Sequence, residues 1–278
     1  MIRYLKYLNR LRLGHYPVFL EYQVDMRPRW NEPAGNPHLE SVVAAGRSTY
    51  ERNLRSLMEF EPVVRAITGS NVVPAVNWKN HFIPALDALS IMHAAVNAKS
   101  TFMEVGSGNS TIFARHALNY FKKPVKIVSI DPQPRVEVNT LCDEIIRKPL
   151  EDTELSVFDR LGPGDSLFID NSHRSFMNSD VTVFMMDVLP RLKPGVLVGV
   201  HDVFLPHDYP ESWSSRAYNE QYLLACYLLA NPDYFDLQLA NYWICRERMH
   251  EAPLKPVWDI LGDDIRDRKA SAFWMVKK

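Results

Sequence analysis

Four short stretches carry residues able to do chemistry. Residues 101–111 read TFMEVGSGNST, with Glu104 two places before Gly106 and a second glycine at 108. Glycines so spaced at the end of an apolar run let the backbone turn sharply and approach a ligand with no side chain between. The run KIVSIDP ends in Asp131, 23 residues beyond Gly108. A carboxylate there can accept both hydroxyls of a ribose. Two further apolar runs end in acids and imidazoles: SLFIDNSHRS in Asp170 with His173 beyond it, and VLVGVHD in His201 and Asp202. Such groups can hold a hard cation, take the proton of a substrate hydroxyl, or hydrogen-bond loop backbone. Spacing does not rank these three roles, although imidazole is a poor magnesium ligand.

The turn after residue 105 also says what it does not hold. A dinucleotide fingerprint, G-x-G-x-x-G, puts a third glycine where this chain has Thr111. An acid at Glu104 repels a pyrophosphate and suits a ligand with positive charge. Gly106, Gly108 and Asp131 on consecutive strands therefore point to a nucleoside, with a tight ligand-free turn and a helix cap at Asp131 as the structural alternatives.

These residues need strands that end side by side. From residue 100 onward, short apolar runs alternate with helical patterns: strand 101–105, helix 110–120, strand 125–130, helix 134–143, short strand 145–148, short helix 153–160, strand 166–170, helix 176–191 and strand 195–200. A helix over 219–230 and strands at 234–240 and 271–276 complete the chain. The expected fold is α/β: a Rossmann-like, doubly wound, mostly parallel seven-stranded sheet with an antiparallel C-terminal strand. Residues 1–80 form a helical region before it, a lid or oligomer contact, and 81–278 form the ligand-binding domain. Asn36 followed by Pro37 starts a long helix that runs through Ile67, and another spans about 84–97.

Composition narrows the partners. The 278 residues carry a formal net charge of −1 with 46% hydrophobic residues, which leaves no electrostatic footprint for nucleic acid. Cys142, Cys226 and Cys245 form no closely spaced pair, in keeping with a reducing cytoplasm. No apolar stretch reaches the roughly 20 residues of a membrane span, and the N-terminus lacks the pattern of a signal peptide. Residues 1–13, MIRYLKYLNRLRL, read as a basic amphipathic helix. It packs on protein, its own or a second subunit's, or lies on an anionic membrane surface.

EVGSGNST followed by VSIDP resembles motifs I and II of the class I S-adenosylmethionine-dependent methyltransferases. FIDNSH and the HD after VLVGV resemble the subgroup with F-I-D-x-S-H and H-D segments, methyltransferase family 24-like, over roughly residues 78–245. Gly195-Val196 departs from the second glycine many members carry there. The resemblance implies S-adenosylmethionine as cofactor, its methionine part lined by Glu104, Gly106, Ser107, Gly108, Ser110 and Asp170. It implies Asp131 on the ribose, and adenine against Pro132 and KPLED, with Glu151 or Asp152 toward its amine or simply starting a helix. Catalysis would rest on Asp170, His173, His201 and Asp202; related enzymes hold magnesium at positions matching Asp170, His201 and Asp202. The implied acceptor is a small molecule or saccharide hydroxyl. Tyr209, Trp213, Arg216 and Glu220 in the loop after the fifth strand are the substrate candidates, and Trp78, Asn80 and His81 could close the pocket opposite. Two other readings are an NAD- or nucleotide-sugar-dependent oxidoreductase and a non-catalytic membrane-surface protein.

Overall fold

Apolar runs covered on both faces become parallel strands, and the sheet order then decides which strand ends meet. A computed structural model of the chain describes residues 21–69, 74–134 and 137–278. The basic segment 1–13 lies outside the described residues.

The strands are β1 (Thr101–Val105), β2 (Lys126–Ile130), β3 (Glu144–Ile146), β4 (Ser166–Ile169), β5 (Leu197–Val200), β6 (Phe235–Ala240) and β7 (Phe273–Lys277). They form one seven-stranded sheet in the order β3-β2-β1-β4-β5-β7-β6. Only β7 runs against its neighbours, pairing antiparallel with β5 and with β6. The order reverses between β1 and β4, which pair parallel. That reversal opens a crevice beyond their carboxyl ends.

Gly106, just after β1, shows how tightly the crevice floor is built. It has φ +80, and a Cβ there would sit 1.9 Å from the backbone oxygen of Asp170. Only glycine lets the β1 and β4 turns touch this way. Behind the floor, Phe168 of β4 stacks on Trp274 of β7 at 5.4 Å.

Before the sheet come α1 (Pro37–Ala45), α2 (Arg47–Ser56), α3 (Glu61–Ile67) and α4 (Ala85–Val96). The Asn36 side chain caps α1, accepting from the backbone N–H of His38 and Leu39. The single long helix expected over 36–67 is instead broken at Gly46 and again by a 3₁₀ turn, Leu57–Phe60, before Pro62. Proline lacks the N–H that would continue the ladder. Leu39, Val43, Tyr50, Leu54 and Val63 share one hydrophobic cluster with the sheet.

After β1, α5 (Asn109–Tyr120) returns the chain to β2. The helix expected over 134–143 is absent among the described residues, where only a 3₁₀ turn, Asn139–Leu141, forms. Arg115 of α5 donates to the Leu141 carbonyl at 2.7 Å and ties this turn to the helix. The helix expected over 153–160 is a single 3₁₀ turn, Leu155–Arg160, with another just before it at Leu150–Asp152. The segment 176–191 starts late, with α6 (Asp180–Val183) capped by Ser179, then a π turn (Phe184–Val188), then α7 (Leu189–Arg191). Pro190 has no N–H to return to the preceding turn, and the widened turn falls just before it. The chain closes with α8 (Glu220–Ala230), α9 (Asn241–Arg246), α10 (Lys255–Leu261) and α11 (Asp263–Arg266). Among the described residues no helix is long and apolar enough to cross a membrane.

Candidate active site

Two cavities open beyond the strand ends. The first, about 310 Å³, lies across the switch point and is lined by Gly106, Ser107, Asp131, Pro132, Glu151 and Asp170, among others. Asp131 follows β2 and accepts from the Ser107 N–H at 2.7 Å and from the Gln133 N–H at 2.8 Å. These bonds fix the carboxylate at the mouth; the Ser107 hydroxyl also donates to the oxygen facing it at 3.3 Å, and the oxygen facing Gln133 keeps a further lone pair for a ligand hydroxyl. Pro149, Leu150 and Glu151 form the wall toward β3, and Asp152 is outside the lining.

Three residues expected to line this cavity do not. Glu104, Gly108 and Ser110 sit beneath the turn. Glu104 is fully buried and accepts from the hydroxyls of Ser110, at 2.9 Å, and Thr111. Thr111 in turn accepts the Gly108 N–H at 3.0 Å. The threonine in place of a third glycine is thus the cap of α5 and the lid of a buried acid. Burial pushes Glu104 up to about 8 against the Thr111 and Ser110 hydrogen bonds, with the charges of Asp170 and Asp131 adding to the rise.

The second cavity, about 460 Å³, begins where the first ends, at Asp170. His173, His201 and Asp202 share its floor. His173 and Asp202 have φ of 60 and 55, in the left-handed region that side-chain-bearing residues rarely adopt. The floor is a ring of ion pairs. His173 Nε2 lies 3.3 Å from Asp170 and 3.4 Å from Asp202, and His201 Nδ1 lies 3.5 Å and 3.4 Å from the same two acids.

Each imidazole is held from behind. His173 Nδ1 meets Glu220 at 2.9 Å, and Asn171 donates to the other Glu220 oxygen at 3.0 Å. His201 Nε2 meets Asp87 of α4 at 3.2 Å. Burial opposes charge on His173, yet hydrogen bonds to Asp170 and Glu220 and the charges of Glu220 and Asp202 raise it to about 10. His201 is raised well above its ordinary value by Asp202 and Asp170 despite burial. Asp170 is partly buried; against the desolvation that would raise it, the charge of His201 and hydrogen bonds from both histidines hold it far below the usual carboxylate range.

This arrangement does not suit magnesium. Two of the four converging groups are imidazoles, poor ligands for magnesium, and they lie 3.3 to 3.5 Å from the two acids. Asp170, His201 and Asp202 do converge, but as an ion-pair ring.

The loop after β5 divides its candidates. Trp213 and Arg216 line the second cavity, whereas Tyr209 and Glu220 do not. Tyr209 is buried in an aromatic cluster with Phe204 and Tyr242, and its hydroxyl accepts the Gln221 N–H. Glu220 is 1% exposed and reaches His173 in place of a substrate. On the opposite wall His81 lines the cavity, but Trp78 and Asn80 are buried. Trp78 packs on Phe113, and Asn80 caps its own turn through the N–H groups of Phe82 and Ile83.

Sequence reasoning missed Asp87, Arg268 and Lys269. Asp87 stands in the apolar helical run ALDALSIMHAAV, where a lone acid signals a buried partner without naming it. Arg268 and Lys269 precede β7 and line the second cavity. Because β7 is antiparallel to β5, its start lies beside the end of β5, with Phe273 opposite Val200.

On this Rossmann-like sheet a switch-point crevice with a ribose-type acid adjoins a pocket of acids and imidazoles. Residues 103–203 match the family model described as a methyltransferase domain. No curated protein matches the sequence. Among solved structures, an O-methyltransferase from Bacillus cereus in complex with SAH is 14% identical over 89% of this chain and 93% of its own, with a TM-score of 0.42. The O-methyltransferase TomG from Streptomyces achromogenes, involved in tomaymycin synthesis, is 15% identical over 80% and 88%, with a TM-score of 0.35. The plantazolicin methyltransferase BpumL is 11% identical over 86% and 99%, with a TM-score of 0.45.

Proposed function

We propose that the protein is an S-adenosylmethionine-dependent methyltransferase acting on a hydroxyl of a sugar or secondary metabolite. One observation carries the reading: the nucleoside-type cleft and the acid–imidazole cavity meet at a single residue, Asp170. A donor in the first and an acceptor in the second would face each other there.

The donor's sulfonium, when bound, supplies an electrophilic methyl group. The chain's part begins with Asp131, which takes the ribose hydroxyls while Gly106 keeps the floor free of side chain. Ser107 holds the Asp131 carboxylate through its N–H. In the second cavity Asp202 and Asp170 receive the acceptor hydroxyl, placing its oxygen in line for attack. His173 is the general base in its neutral form. Glu220 fixes its Nδ1 and so directs Nε2 toward the hydroxyl between the two acids. No step passes through a metal. For residues 1–80 the proposed role is a lid or an oligomer contact.

Calorimetry with S-adenosylhomocysteine and with NADH tests the reading. The wild type should bind the former, Asp131→Ala should lose about 100-fold or more in affinity, and Asp202→Ala should bind normally but fail to turn over. Binding of NADH alone would overturn the assignment in favour of an oxidoreductase.

A further inference from the structure

The second cavity is more positive than its acids suggest. Arg216, Arg268 and Lys269 all line it. Its two carboxylates, Asp170 and Asp202, are already paired with His173 and His201. None of the three cations pairs with a carboxylate among the described residues; what holds them is neutral. Arg268 donates to the Trp78 carbonyl at 3.0 Å. Arg216 lies over the Trp213 ring at 3.9 Å and near Tyr218 at 5.5 Å. Lys269 lies over Tyr242 at 5.4 Å. These contacts orient the charges without neutralising them, and a cleft with low-dielectric walls concentrates their field. The guanidinium on Trp213 also occupies a ring face that a sugar would otherwise stack on.

We propose that the acceptor carries an oxyanion, a carboxylate or a phosphate, which Arg268, Lys269 and Arg216 hold while its hydroxyl rests on the Asp170–Asp202 floor. The inference deepens the methyltransferase reading and rests on it for the hydroxyl. Two planar guanidinium forks and an ammonium suit a carboxylate or phosphate, each able to accept paired hydrogen bonds. Anion capture at the wall also places the neutral part of the acceptor without using the histidines.

The test titrates S-adenosylhomocysteine-saturated protein with inorganic phosphate, D-glucuronate and neutral D-glucose, read by calorimetry. At least one anion should bind saturably and about tenfold or more tighter than glucose; the preferred anion separates a phosphorylated from a carboxylated acceptor. In Arg268→Gln and in Lys269→Gln that binding should fall about tenfold, with S-adenosylhomocysteine affinity within about twofold of wild type. Lys269 is exposed, so its variant remains decisive if Arg268→Gln disturbs the Trp78 turn. Absence of saturable anion binding, glucose binding as tightly, or unchanged anion affinity in both variants would overturn the proposal. So would a matching loss of S-adenosylhomocysteine affinity, which would give these cations to the cofactor's own carboxylate. A wild type that binds no S-adenosylhomocysteine fails the methyltransferase reading instead, and the same anion titration without it still decides this one.

Discussion

Replacing Glu104 by glutamine tests whether the buried acid under the β1 turn reads the charge of the methyl donor. The side chain is fully buried and held by two hydroxyls, and burial pushes it up to about 8. At pH 7 roughly nine in ten molecules of the free protein therefore keep the proton. A sulfonium bound above the turn favours the carboxylate, so donor binding should release a proton, up to about 0.9 per site at pH 7. The same linkage makes affinity rise about tenfold between pH 7 and pH 9. Calorimetry in two buffers of different ionisation enthalpy measures the proton directly. S-adenosylhomocysteine, which lacks the sulfonium charge, should release less. Stability supplies a second readout. An acid with a raised folded pKa keeps its proton after the unfolded chain has lost it, so stability falls as pH rises from about 4.5 to about 8. The loss is of order 5 kcal/mol at most, and Glu104→Gln should remove it from the wild-type-minus-variant difference. Proton release equal in wild type and Glu104→Gln, or absent from both, refutes the reasoning.

Glu220→Gln should lower the His173 pKa by about one unit or more, since an opposite charge is withdrawn. If His173 is the base, wild-type turnover rises with pH toward about 10 and the variant's profile moves acidward; identical profiles would remove Glu220 from the proton path. Because the His173 pKa is raised on folding, its stabilising contribution is complete below about 6.5 and lost as pH rises through about 10, which pH-dependent melts of His173→Gln would show as a flattened alkaline limb. Gly106→Ala should cost both cofactor binding and melting temperature, because its Cβ would lie 1.9 Å from the Asp170 oxygen. The left-handed backbone alone adds roughly 1–2 kcal/mol, so an alanine variant that melts and binds as wild type would contradict the described β1–β4 contact.

Local pattern was enough to read the sheet. Strands covered on both faces are apolar throughout, and their alternation with helices implies crossovers, so the α/β class and the residues ending β1, β2, β4 and β5 were legible. Over 137–143 only a 3₁₀ turn forms, tied to α5 through Arg115 and the Leu141 carbonyl, a contact that periodicity does not report. The long helix over 36–67 failed at a glycine and a proline that its apolar pattern runs straight across.

Strand-end chemistry belongs to the chain alone: Asp131, Asp170, His173, His201 and Asp202 stand where apolar runs stop, and a run of that kind must end at the sheet's edge. Which of them meet, and what stands behind them, belongs to the tertiary structure. Glu220 reaches His173 across 47 positions and Asp87 reaches His201 across 114. Arg268 and Lys269 enter the second cavity only because β7 runs backwards beside β5. Glu104 turns under its own helix, away from the cleft it was expected to line. Periodicity reports which face of an element is buried; sheet order and strand direction decide its partner, and those are set by packing of segments far apart in the chain.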